Sequence, residues 1–93
     1  MKANGPTGKQ VLRGTFVETQ EGDYVHLVIK DQAGNVRSFF IAPDMPASVW
    51  EPFATREHQG KAVEVTWERV RRFIPEAGGE ETIEQATNIR LLE

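Results

Sequence analysis

The chain has no cysteine and only two histidines, His26 and His58, which stand far apart in its 93 residues. No disulfide framework, thiolate nucleophile or zinc–thiolate site can be built from it. A metal centre would have to come from carboxylates, and no metal-ligand spacing is present, so neither metal nor cofactor is expected. Small secreted domains often rely on disulfides, and their absence here points to the cytoplasm. No apolar run approaches the roughly 20 residues that a membrane span needs. The first ten residues, MKANGPTGKQ, lack the apolar centre of a signal peptide. Positive charge is also scarce, with 11 Lys and Arg against 14 Asp and Glu for a net charge of −3. Affinity for nucleic acid comes largely from neutralising phosphates, so this balance counts against an indiscriminate binder. No nucleophile, base and orienting group can be assembled either, and a non-enzymatic protein is expected.

What is present suits one small all-β domain. Hydrophobic residues at 39% are enough to fold a chain in which 27% is charged. Residues 1–8, with two glycines and a proline among polar neighbours, read as a leader. The single domain then covers 9–93. A first strand is expected over Gln10–Thr19, with Gly14 inside it marking a bulge or tight bend. YVHLVIK, from Tyr24, is the strongest strand signal, and DQAGN after it suits a type I turn with a glycine bulge. Pairing Asp31 with Asn35 sets Leu27 opposite Phe39 and Val25 opposite Ile41. Val25, Leu27, Ile29, Phe39 and Ile41 then share the core face, and Tyr24, His26, Val28, Lys30, Ser38 and Phe40 the other.

Pro43, Pro46 and Pro52 forbid a central strand between the third and fourth strands. A short helix from about Pro52, stopped by Gly60, would let Val49, Trp50 and Phe53 plug the end of a barrel. KAVEVTWE alternates cleanly, with Val63, Val65 and Trp67 inward, and ETIEQATNIRLL forms the last strand. With PEAGG as the turn, Ile74 falls opposite Glu80, Val63 opposite Leu91, Val65 opposite Ile89 and Glu64 opposite Arg90. Apolar residues meet apolar ones and opposite charges meet, as cross-strand energetics favour.

Three strands, a short helix and two more strands, with VLRGTF, DQAGN and GKAVEVTW at the matching places, resemble the OB-fold superfamily across residues 9–92. The rival architecture is an SH3-like barrel, which lacks the helix after the third strand. No family within the superfamily is matched by motif, and the aromatic KG(F/Y)GFI signature of the cold-shock type is absent. The resemblance implies ligand binding across the exposed face of strands 2 and 3, between the loops joining strands 1–2 and 4–5.

Two candidate surfaces follow. Arg69, Arg71, Arg72 and Phe73 fall at the strand 4–5 loop, where arginines would meet phosphates and Phe73 would stack on a base. The competing reading is a solvated hairpin whose arginines are balanced by Glu76, Glu80, Glu81 and Glu84. Tyr24, His26 and Phe40 form an aromatic patch on the exposed hairpin face, joined by Lys30. That patch would stack bases or sugars, or be covered by the leader, the helix segment or a second copy. Trp50 and Trp67 fit the core, and Asp44, Glu51, Glu57 and His58 fit a solvated or capping role. Lys61 after Gly60 and the segment GPTGK at 5–9 both fail the spacing of a phosphate loop. The partners expected are single-stranded DNA or RNA, or alternatively another protein, with a small ligand or saccharide as a third class.

Overall fold

In the computed structural model, which describes residues 8–92, the β-branched and aromatic runs become five strands. They are β1 (Gln10–Gln20), β2 (His26–Asp31), β3 (Val36–Ile41), β4 (Ala62–Ile74) and β5 (Gly79–Leu91). They close into a barrel in the order β1-β2-β3-β5-β4, and β4 returns to pair with β1. Every pairing is antiparallel except β3 with β5, a parallel seam of Phe40 opposite Gln85 and Ile41 opposite Ala86. The leader expected over 1–8 falls, apart from Gly8, outside the described residues.

β1 serves two neighbours because it is long. Gln10–Thr15 pair with β4, and most of Gly14–Gln20 pairs with β2, so Gly14 belongs to both ladders. The β1–β2 register slips at Val17, between Phe16 and Glu18, and such a bulge bends the strand around the barrel. The β2–β3 hairpin takes the expected register, with Leu27 opposite Phe39 and His26 opposite Phe40. Its turn is held by Asp31, whose carboxylate accepts from the Ala33 and Asn35 amides at 2.9 Å, and by Gly34 at φ 89°. Val28 departs from expectation. Alternation sets it on the outer face, yet it is only 6% exposed, because it lies mid-sheet between Glu18 and Ser38.

The β4–β5 register is as expected from Val63 opposite Leu91 to Thr66 opposite Asn88. Thr87 then bulges out of the ladder, and Ile74 ends opposite Gly79 instead of Glu80. The turn is tighter than PEAGG: a 3₁₀ segment Pro75–Ala77 closes on Gly78 at φ 85°, and β5 already starts at Gly79. The helix also begins earlier than expected. α1 (Ala47–Trp50) follows Pro46, and the chain continues as a 3₁₀ segment Glu51–Ala54. Pro52 has no amide to continue the α-helical bonding, so the helix tightens there.

This short helical segment plugs the barrel. Phe53 packs edge-on against Phe16 at 5.2 Å, and the Thr19 hydroxyl donates to the Phe53 carbonyl at 2.8 Å. With Leu27, Ile29, Phe39, Met45, Val63, Val65, Trp67, Ala86 and Ile89 they form the core, against which Leu12, Ile41, Val49, Trp50 and Leu91 pack. Trp67 is core, as its alternation with Val63 and Val65 indicates.

Candidate nucleic-acid interface

Alternation along β2 and β3 sends His26 and Phe40 outward as a directly opposed pair, with ring centroids 4.3 Å apart. Tyr24, just ahead of β2, meets Phe40 edge-on at 5.6 Å. The β4–β5 hairpin runs beyond the barrel and brings Arg72 back over this patch, its guanidinium 5.8 Å from the Phe40 ring centre. The Tyr24 hydroxyl donates to Glu76 at 3.1 Å. Partial burial and that acidic partner raise the phenol above its ordinary value. Tyr24, His26, Phe40 and Arg72 therefore form one surface. Lys30 lies on the same face, exposed, two alternations beyond His26, or about 13 Å along the strand.

Beside the patch is a groove of about 290 Å³, lined by Asp23, Tyr24, Phe40, Met45, Trp50 and Arg72 among others. The Arg72 Nη1 atom is buried without a hydrogen-bond partner among the described residues.

The other three expected residues are not part of this surface. Arg69, Arg71 and Phe73 alternate with Arg72 and so occupy the opposite face of the hairpin, paired with Glu84, Thr82 and Glu80. There the acids answer the arginines. Glu84 accepts from Arg69 at 2.8 Å and from Arg37 at 3.0 Å, and Arg71 meets Glu80 at 3.1 Å. The hydrogen bond from Arg69, and then that from Arg37, hold the Glu84 carboxyl below its ordinary value against the opposing effect of burial. Phe73 is 67% exposed.

Sequence reasoning missed Arg37, whose guanidinium lies 5.2 Å from the Phe39 ring and 5.0 Å from the Trp67 ring. Its inward parity with Phe39 was the available signal. It missed Asp23 and Trp50 as groove residues too, since the groove forms only where α1 and Arg72 of β4 meet the β2–β3 hairpin. Among the described residues no group of three or more His, Asp or Glu could hold a metal ion. Among them, too, no helix is long and apolar enough to cross a membrane.

No protein-family model matches the sequence, and no curated protein matches it. Among solved structures the chain is similar to the mitochondrial single-stranded DNA binding protein of S. cerevisiae. The TM-score is 0.59 at 19% identity, covering 92% of this chain and 94% of that one. The fold is an OB-fold. The parallel β3–β5 closure and the helical segment between β3 and β4 set it apart from the SH3-like alternative. In OB-folds the β2–β3 face and the flanking loops are the usual binding surface. Tyr24, His26, Phe40 and Arg72 stand on that part of this OB-fold.

Proposed function

We propose that the single domain over 9–93 is a non-enzymatic OB-fold module that binds single-stranded nucleic acid, DNA or RNA. The observation that carries this reading is the cluster of three aromatic rings on the outer β2–β3 face, with Arg72 over the Phe40 ring. Bases stack on such rings whatever their identity, with roughly 1–3 kcal/mol per base. His26, Phe40 and Tyr24 would offer the stacking surface, and Lys30 and Arg72 the positive charge. Arg69, Arg71 and Phe73 would form a second contact on the far side of the hairpin. Its two arginines must first leave Glu84 and Glu80, so its share is the smaller. The similar fold of a protein that binds single-stranded DNA supports the reading. The cysteine-free composition fits a reducing compartment, and the cytoplasm is the location we propose.

One observation favours a second reading, docking of another protein on the same patch. Arg69 and Arg71 are already ion-paired within the chain, which leaves little free positive charge on the hairpin. An NMR titration with short single-stranded DNA and RNA at low salt separates the two. Shifts of Tyr24, His26 and Phe40 that fade as salt rises support nucleic-acid binding. An unperturbed β2–β3 face leaves protein docking as the better account.

A further inference from the structure

We propose that the groove beside Tyr24 is a base pocket that prefers guanine, in which Arg72 donates to the base and Asp23 accepts from it. The inference rests on the single-stranded nucleic-acid reading above and gives that site a sequence preference.

The groove, at about 290 Å³, stands at the small end of ligand pockets and suits a single base. Tyr24, Phe40, Met45 and Trp50 supply apolar walls, while Asp23 and Arg72 are its two charged groups. Arg72 Nη1 is a buried donor that nothing among the described residues satisfies, and burying a donor unpaired is costly. Arg72 lines the groove, and a turn of its guanidinium toward a ligand that offers acceptors there removes the cost.

Phosphate is the obvious anionic acceptor, but Asp23 lines the groove and Glu76 sits on the Tyr24 hydroxyl. One carboxylate in the groove and a second on the Tyr24 hydroxyl disfavour a phosphate there. They favour a neutral group that carries acceptors for the arginine and donors for an acid. A guanidinium holds only donors, in a fixed fork, and a carboxylate holds only acceptors. Guanine presents the O6 and N7 acceptors side by side on one edge and amino and imino donors on another. Adenine places an amino donor beside N7, where it opposes the arginine. Thymine places a methyl group beside its single carbonyl on that edge. The stacking rings favour the larger purine surface further.

The test is fluorescence anisotropy with short oligothymidine in which the central base is replaced in turn by guanine, adenine or cytosine, with a matching oligouridine series in RNA. Guanine is expected to bind about tenfold tighter than the parent oligomer. A deazaguanine lacking N7 should lose most of that gain with the protein unaltered. Arg72→Lys, which keeps the charge but loses the fork, should weaken the guanine oligomer several-fold more than it weakens oligothymidine. Equal affinity for all bases, a preference for cytosine, or an Arg72→Lys variant that weakens every oligomer alike overturns the pocket and leaves the binding face standing. Failure of every oligomer to bind overturns both.

Discussion

A Cβ placed on Gly14 would stand 2.3 Å from the Lys30 carbonyl oxygen, closer than any side-chain carbon is tolerated. The residue lies where β1 is hydrogen-bonded on both sides, so neither neighbour can retreat. Gly14→Ala is expected to destabilise the fold by about 1–3 kcal/mol, read as a lower urea midpoint at unchanged slope. Glu84 makes a pH-dependent counterpart. Its folded-state carboxyl is held below the ordinary 4.5, first by Arg69 and then by Arg37. The unfolded chain therefore binds the proton more readily than the folded one. The stabilisation is complete above about pH 4.5 and is lost as pH falls through the lowered folded value. Glu84→Gln should lower the melting temperature at neutral pH and flatten its fall in acid, as followed by circular dichroism. At this partly exposed site the neutral-pH loss should be no more than about 1 kcal/mol.

The β4–β5 hairpin shows how one irregularity in an element redistributes charge. Without the Thr87 bulge, the offset of the barrel half would have set Arg69 opposite Gln85. With it, Arg69 faces Glu84. The sequence shows the alternation on both strands but not the bulge, because an extra residue alters no local preference. The hairpin also separates two arginines that look alike on paper. Arg71, paired with Glu80, is solvated on one face, while Arg72 crosses Phe40 on the other. Arg71→Ala is expected to change stability by less than about 1 kcal/mol and nucleic-acid affinity little. Phe40→Ala should weaken binding by roughly 5- to 150-fold through lost stacking, measured by anisotropy on protein whose fold is first checked by circular dichroism.

Across the whole molecule the barrel is least secure at its parallel seam. Two residue pairs join β3 to β5, backed by the Ala42 amide donating to Ala86 at 2.9 Å. Six pairs join β1 to β4 and twelve join β4 to β5. Ala42 should accordingly exchange its amide hydrogen before the central amides of β4, a difference that native-state hydrogen exchange resolves. The net charge of −3 has a consequence at the same scale. The proposed binding face carries few unpaired cations, so the salt slope for single strands should be shallower than about −2, the value for some three phosphate contacts. A much steeper slope would mean that the arginines of the hairpin, and not the aromatic rings, hold the ligand.

Period-two alternation and turn chemistry were enough to locate the strands, to pair Leu27 with Phe39 and Val65 with Ile89, and to place Trp67 in the core. They could do so because hairpin pairing is local: the turn sets the register and each strand carries its own inward and outward faces. The aromatic patch was legible for the same reason, since Tyr24, His26 and Phe40 belong to one hairpin. Glu64 opposite Arg90 was legible as well, whereas the second cation on that carboxylate, Arg13 at 3.0 Å, was not. Closure of the barrel decided the rest. Bringing β5 beside β3 and β4 beside β1 delivers Arg13 to Glu64, Arg37 to Glu84 and Arg72 to Phe40. Those residues are far apart along the chain, and their meeting depends on a tertiary geometry that no local pattern encodes.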